Sequence, residues 1–300
     1  MVPVGTDARV EEHRNLGLAF YKTAMYDEAG REFHRVVELR PGDPQAHFFI
    51  GLVALRQGRW ADAVDALRLA AEKGGGRPEV LHDLGVALEQ LGRLAEAEAA
   101  YGEAAARAED DWRVMQSWGI IALKRGQGEA AVERLDRARG LAPSGLPPSA
   151  LWYWARSLAA VLAGREDEAL PIAEEGLSRF PHNAPLRNNV AVLCERRGEL
   201  ERAEQLLAAA LEEEPSLPQL SKNLGDLLYR SGRHEEAQVA YSRAVKLSPR
   251  LGDDVYFKLG NLAFRAKHPA EAAAAWKEAL VLNPAHELAR ANLATLDHVS

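Results

Sequence analysis

Residue types that carry out catalysis or bind metals are present in this 300-residue chain, but they are not arranged in a recognisable site. The nine histidines are scattered, and the one cysteine, Cys194, lies within an apolar stretch. The chain contains no Cys pair, His-Glu-x-x-His, Gly-x-Ser-x-Gly or Walker sequence. Acidic pairs such as Glu11-Glu12 lie on predicted exposed helix surface. We therefore predict no enzyme activity, no cofactor and no metal site, and we expect Cys194 to be a buried core residue.

Charge and hydropathy restrict the class of protein further. The net charge is −7, and acidic and basic residues are interleaved, whereas a nucleic-acid-binding domain normally shows a basic face. No apolar run approaches the roughly 18 residues that a membrane-spanning helix needs. Residues 1–7 lack the basic and apolar stretches of a secretory signal. These features predict a cytoplasmic protein with no nucleic-acid partner and no membrane span.

One repeat of about 34 residues organises the whole chain. Eight alanines stand at one phase of it, in steps of 34, 34, 34, 38, 34, 34 and 35 residues. A fixed period in this range is typical of a solenoid, because each unit buries its apolar face only against its neighbours. The alanines are Ala29, Ala63, Ala97, Ala131, Ala169, Ala203, Ala237 and Ala272. The phase defines the units 10–43, 44–77, 78–111, 112–145, 150–183, 184–217, 218–251 and 253–286.

The residue pattern within each unit predicts two helices. In unit 44–77, apolar residues at helical spacing continue up to Gly58, which ends the first helix, and a second apolar pattern follows Trp60. Position eight of the unit is small, most often glycine, and position twenty is always alanine. A larger side chain at either position would push the paired helices apart. We therefore predict antiparallel helix pairs joined by short turns.

The repeated residues resemble the tetratricopeptide repeat (TPR) family. Its pattern is matched in the first unit by Leu16-Gly17, Phe20, Ala29, Phe33 and Pro41. The resemblance covers about residues 10–286. It implies an all-α fold, a right-handed α-solenoid (superhelix) of antiparallel helix pairs.

The spacing of the repeated alanines also predicts how the chain is divided into parts. The lengthened connection contains Pro147-Pro148 and is expected to change the local stacking angle between two groups of four repeats. The final stretch is expected to cover the last open apolar face. The predicted parts are a flexible N-terminus 1–9, repeats one to four 10–145, an irregular connector 146–149, repeats five to eight 150–286, and a capping helix and tail 287–300.

In the TPR family the first helix of each repeat lines a concave groove. Transfer of the family's groove positions to the N-terminal repeats gives an apolar set: Leu18, Tyr21, Phe48, Phe49 and Leu52. An apolar strip suits the apolar face of a partner helix or the hydrophobic anchors of an extended segment. The alternative for Phe48 and Phe49 is packing between neighbouring first helices.

The same transfer to the C-terminal repeats gives a polar set: Asn189, Asn223, Asp226, Lys258, Asn261 and Asn292. Asparagines at one position of successive repeats can each donate to and accept from the backbone of an extended peptide. This arrangement is similar to the asparagine ladder in the repeat domain of the O-linked N-acetylglucosamine transferase. The alternative is an ordinary solvated helix surface.

These observations favour a non-enzymatic scaffold or adaptor that binds a partner peptide or helix in the groove. Two alternatives remain open from the sequence. In the first, the chain is a substrate-recruiting module of, or a partner to, a larger enzyme. In the second, it is a self-assembling structural scaffold. We expect a monomer or weak self-association.

Overall fold

The computed structural model describes residues 4–297, with side chains described for residues 6–296. Within this range the chain forms seventeen α-helices and no strand. In each repeat the first helix has an odd number and the second an even number. The helices are α1 (Val4–Lys22), α2 (Tyr26–Leu39), α3 (Pro44–Arg56), α4 (Trp60–Lys73), α5 (Pro78–Gln90), α6 (Leu94–Arg107), α7 (Trp112–Lys124), α8 (Gly128–Leu141), α9 (Ala150–Leu162), α10 (Glu166–Arg179), α11 (Ala184–Arg196), α12 (Leu200–Glu213), α13 (Pro218–Arg230), α14 (His234–Leu247), α15 (Asp253–Arg265), α16 (Pro269–Leu282) and α17 (Glu287–Asp297).

The helix boundaries follow from local sequence signals. The Asp43 side chain accepts a hydrogen bond from the backbone N–H of Ala46 at 2.9 Å, and Pro44 occupies the first position of α3. Asn183 caps α11 in the same way through the N–H of Leu186, also at 2.9 Å. Gly58 follows α3 with a φ of +70°, a conformation that glycine adopts without steric cost. Such signals mark several of the repeats, whereas α15 begins with neither a capping side chain nor a proline.

The two ends of the chain differ from each other in how they match the sequence prediction. Helix α1 begins at Val4, so residues 4–9 are helical where the sequence predicts a flexible N-terminus. No proline interrupts residues 4–22, and Asp7 in the first turn suits the positive end of a helix. At the other end, α17 occupies residues 287–297 of the predicted capping segment. Residues 1–3 and 298–300 lie outside the described residues.

The chain divides into two compact units, residues 1–166 and residues 167–300. The N-terminal unit extends past the predicted connector 146–149 and includes α9. Helix α9 is held to α8 by polar contacts, because the Trp152 indole N–H donates to the Leu135 carbonyl at 2.9 Å and Arg156 pairs with Asp136 at 2.7 Å. Residues 142–149, between α8 and α9, are not helical.

The two helices of a repeat meet where position eight faces position twenty-four. A Cβ atom on Gly17 would lie 2.9 Å from the Phe33 ring, and one on Gly225 would lie 2.6 Å from Tyr241. Real Cβ atoms do not approach other atoms so closely, so position eight must stay small. The alanines that define the repeat are fully buried. The described residues thus confirm the predicted all-α solenoid of antiparallel helix pairs.

No helix in the described part of the chain is long and apolar enough to cross a bilayer.

Candidate protein-binding surfaces

The N-terminal unit brings the predicted apolar residues together. Tyr21 on α1 and Phe49 on α3 meet edge to face, with ring centroids 5.8 Å apart, and Phe48 lies 5.6 Å from Phe49. Leu18 packs with Tyr21 and Phe49 against the buried cluster around Phe33, and Leu52 lies one helical turn from Phe48 and Phe49 on α3; all of these side chains are half-buried. We call Leu18, Tyr21, Phe48, Phe49 and Leu52 the apolar surface.

The two phenylalanines of the apolar surface also pack between repeats. Phe49 stacks on the buried Phe33 of α2, with ring centroids 4.9 Å apart and an interplanar angle of 10°. Phe48 packs against the apolar core that α4, α5 and α6 build, and the Arg77 guanidinium lies 5.6 Å from its ring centroid. Phe49 therefore contributes to the core of the solenoid as well as to its surface.

Basic side chains border the apolar surface. Lys22 and Arg56 are exposed at the C-terminal ends of α1 and α3, and Arg56 donates to the Tyr21 hydroxyl at 3.3 Å. Neither forms an ion pair with any described residue. A cation in the last turn of a helix interacts favourably with the helix dipole, which explains its position without a ligand. The border thus carries two exposed cations, and the negative charge of Asp83 on α5 also acts on Arg56.

In the C-terminal unit, Asp226 lies at the centre of a half-buried charged network. Its carboxylate accepts hydrogen bonds from the Tyr241 hydroxyl at 2.6 Å, from Lys258 at 2.5 Å and from Lys222 at 3.1 Å. Burial alone would raise the pKa of Asp226, but the hydrogen bonds from Lys258 and Tyr241 and the charge of Lys222 lower it below its usual range. Asp226 and Lys258 are thus already paired within the chain.

At position nine of the last two repeats, polar side chains accept hydrogen bonds from the buried residues at position twenty-four. Tyr241 and Trp276 are almost completely buried and carry hydrogen-bond donors. Asp226 accepts from the Tyr241 hydroxyl, and Asn261 accepts from the Trp276 indole N–H at 3.1 Å. A buried donor left without a partner costs about 1–3 kcal/mol. Asp226 and Asn261 therefore have a structural role that the sequence prediction missed.

The signal for this role was present in the repeat. Where position twenty-four has no donor, position nine is aliphatic. The converse fails once, at Tyr101, because position nine of its repeat is Val86 and its hydroxyl instead donates to Glu89 at 3.0 Å. The aliphatic pairs are Leu18 and Phe33, Leu52 and Leu67, Ile120 and Leu135, Leu158 and Ala173, and Val192 and Leu207.

The asparagines do not form one exposed row. Asn189 is buried, with 4% of its surface exposed, so its predicted position on an open groove is wrong. The residue before it, Asn188, accepts a hydrogen bond from Asn223 at 2.8 Å, and successive residues point to different sides of a helix. Asn223 in turn accepts from Gln219 at 2.9 Å. Asn292 lies on the last helix, α17, and donates to Asn261 at 3.2 Å.

Cys194 and the potential metal ligands can be placed within the described residues. Cys194 is completely buried, as predicted, and burial raises the pKa of its thiol to about 11, so the thiol stays protonated at neutral pH. Among residues 4–297, no group of three or more His, Cys, Asp or Glu side chains could hold a metal ion.

Helix pairs in tandem, with partly exposed side chains on their first helices, define a repeat scaffold of the kind typical of protein–protein interaction modules. The chain belongs to the tetratricopeptide repeat family. Four models of this family, each described as tetratricopeptide repeat, match it: one at residues 14–78 and 117–184, one at 160–222 and 197–256, one at 253–286 and one at 78–111.

Known proteins resemble the chain in sequence or in fold. A TPR repeat-containing protein of Pseudomonas aeruginosa is 28% identical over 172 residues, which are 56% of this chain and 28% of that protein. The DnaJ homolog subfamily C member 7 homolog of Schizosaccharomyces pombe is 23% identical over 296 residues, 92% of this chain and 57% of that protein. The crystal structure of the APC/C hetero-tetramer Cut9-Hcn1 superposes with a TM-score of 0.69 at 14% identity, over 90% of this chain and 52% of that chain. The chain thus spans between about a quarter and about three fifths of the length of these relatives.

Proposed function

We propose that this protein is a non-enzymatic scaffold that holds a segment of a protein partner on the apolar surface of its N-terminal unit. The observation that carries the proposal is the contact between Tyr21, Phe48 and Phe49, which places three half-exposed aromatic rings side by side on neighbouring first helices. Aromatic side chains are enriched among the residues that dominate binding energy at protein interfaces.

The basic side chains beside the apolar surface indicate the charge of the partner segment. Lys22 and Arg56 lie beside the apolar residues and have no acidic partner among the described residues. Opposite charges across an interface speed association and help to fix the register. We therefore propose a partner segment with apolar anchors and acidic residues beside them, bound as an amphipathic helix or as an extended chain.

Replacement of Phe48 by alanine tests this proposal. Phe49 is unsuitable for the test, because it stacks on the buried Phe33. The matched control is Leu69→Ala on α4, a second helix, since Leu69 is an exposed apolar residue outside the apolar surface. Proteins captured from the source cells by the wild type, Phe48→Ala and Leu69→Ala are compared by quantitative mass spectrometry, with circular dichroism as the check on folding.

We expect Phe48→Ala to reduce capture of a partner about tenfold or more, the loss that truncation of a central aromatic anchor produces. Leu69→Ala is expected to capture the same partner as the wild type. Equal capture by folded Phe48→Ala would contradict the proposal.

A second candidate follows from the length of the relatives. The chain spans 28% of the Pseudomonas aeruginosa protein and 57% of the Schizosaccharomyces pombe protein. This favours a role as a recruiting module within, or beside, a larger protein. An immunoblot of the source cells decides between the two, because a native product much longer than 300 residues supports the module and a product of this length supports the separate scaffold.

A further inference from the structure

We propose that two copies of this chain associate through helix α17 of each copy into a closed dimer with two-fold symmetry. The contact surface is the side of α17 that points away from the rest of the C-terminal unit. On the inner side of α17, Ala289 is completely buried, and Leu293 and Leu296 pack against the core around Trp276. We call the opposite side the outer face, and it consists of exposed residues: Glu287, Leu288, Arg290, Ala291, Ala294 and Thr295.

The repeat indicates that the outer face is a surface for helix packing. Helix α17 stands where a ninth repeat would have its first helix, so its position eight is Ala294. In the eight complete repeats, position eight is buried because the second helix packs on it, as Tyr241 does on Gly225. Ala294 is small like these residues but exposed, and no second helix follows it within the described residues. The outer face is therefore the uncovered counterpart of a contact that every complete repeat makes.

A projecting side chain and a cavity lie side by side at this end of the unit. Leu288 is 61% exposed on the outer face. The cavity has a volume of about 270 Å³ and no charged residue in its lining, which includes Phe264 and Thr295. Thr295 also belongs to the outer face, and Phe264 is 52% exposed, so the cavity opens beside the outer face. A cavity of about 150 Å³ accommodates a benzene molecule, so this one has room for a leucine side chain.

The spacing on α17 makes the outer face complementary to itself. Leu288 and Thr295 are seven residues apart, which places them on one side of the helix at a separation of roughly 10 Å along its axis. When two α17 helices pack antiparallel with Leu288 of each copy beside Thr295 of the other, both leucines reach a cavity. An isologous interface has this reciprocity, and it closes at two copies. The two-fold axis then passes beside Ala291, where a single methyl group permits close approach of the helices.

Charge favours the same end of a second copy as the occupant. The outer face carries one acid and one base, Glu287 and Arg290, so two outer faces meet without an excess of either charge. Helix α1, the first helix of the chain, instead exposes Glu11 and Glu12. A head-to-tail contact would bury such carboxylates against Leu288, at a cost in desolvation. The occupant is thus a second α17, and the assembly is a dimer rather than a filament.

Sedimentation velocity of the full chain at several concentrations tests the dimer. One face of one helix from each copy is a small interface, so association is expected to be weak and to increase with concentration. Leu288→Glu places a charge where the leucine meets the cavity. The matched control is Val239→Glu on α14, since Val239 is a 71% exposed apolar residue outside the outer face. Circular dichroism checks that each variant is folded.

A cysteine cross-link tests the symmetry of the contact. Ala291→Cys places a thiol beside the two-fold axis, where it meets its equivalent in the second copy. The native Cys194 is completely buried and does not compete. With copper phenanthroline as the oxidant, we expect Ala291→Cys to give a covalent dimer and the control Val239→Cys to remain a single chain. Absence of the cross-link in Ala291→Cys overturns the antiparallel pairing of the two α17 helices.

We expect the mass of the wild type to rise with concentration from that of one chain to that of two, and no further. Leu288→Glu should raise the dissociation constant of the dimer about tenfold or more, as for loss of a central anchor. Val239→Glu and Phe48→Ala should dimerise as the wild type does, because the dimer does not depend on the apolar surface. A wild type that stays a single chain, a mass above two chains, or normal dimerisation of Leu288→Glu overturns the proposal.

Discussion

The first helices of the two units present different chemistry, although the same repeat builds both. In the N-terminal unit, Leu18 packs beside the buried ring of Phe33. At the corresponding place in the C-terminal unit, Asp226 accepts a hydrogen bond from the buried hydroxyl of Tyr241. The difference shows that the residue type at position nine of a repeat depends partly on the buried residue beneath it. A buried donor requires an acceptor above it, and a buried apolar ring does not.

The comparison predicts a large loss of stability for Asp226→Leu. The substitution leaves the buried Tyr241 hydroxyl without an acceptor, and of the two carboxylates that Lys222 and Lys258 share it leaves only Asp254. We expect the free energy of unfolding of the C-terminal unit to fall by about 3 kcal/mol. Urea unfolding followed by circular dichroism measures the change.

A double variant sharpens this prediction. Asp226→Leu with Tyr241→Phe recreates the apolar pair found at Leu18 and Phe33, so it should recover about half of the lost stability. If the double variant loses as much free energy of unfolding as the two single variants together, Asp226 and Tyr241 are not coupled and the prediction is wrong.

The reverse exchange in the N-terminal unit should have a smaller effect. Phe33→Tyr places a hydroxyl under the aliphatic Leu18, and we expect a loss of about 2 kcal/mol in urea unfolding. Addition of Leu18→Asn supplies an acceptor and should restore about 1 kcal/mol. A Leu18→Asn variant with Phe33 unchanged is the control, and it should show no gain.

The basic border should affect the rate of association more than the stability of a complex. We expect Lys22→Glu with Arg56→Glu to slow association of the captured partner about threefold to tenfold at low salt, and less at high salt. Stopped-flow kinetics at two salt concentrations measures this change in the association rate. Arg265→Glu, at the equivalent helix end of the C-terminal unit, is the control. An equal slowing by the control would remove the distinction between the two units.

The smallest expected effect is a dependence on pH that only the C-terminal unit shows. The folded-state pKa of Asp226 is lowered, so its contribution to stability is complete above the unfolded-state pKa, near 4, and is lost as the pH falls through the folded-state value. The urea midpoint of the wild type should therefore fall more steeply below about pH 4 than that of Asp226→Leu with Tyr241→Phe. Parallel pH profiles would show that Asp226 contributes nothing to this dependence.

Much of the fold was predictable from the sequence, because the repeat supplies the same evidence eight times. The phase of the alanines placed the helix pairs, and the small residues at position eight indicated close packing, which the structure explains by the large residue at position twenty-four. The candidate surfaces were less predictable. Phe48 and Phe49 are adjacent and alike in sequence, yet Phe49 also stacks on Phe33. Asn189 was assigned to the groove and is buried, whereas its neighbour Asn188 meets Asn223.

The sequence by itself determined the repeat, the helices and the family, since these depend on local propensity and on a period that every copy shares. Only the tertiary structure decided which side chains remain free to meet a partner. Freedom of a polar group depends on whether a neighbouring helix already satisfies it, and for Asp226 these neighbours, Tyr241 and Lys258, lie 15 and 32 residues away along the chain. Asp226 is occupied by Tyr241 and two lysines, and both ends of the Asn223 amide are occupied by Asn188 and Gln219.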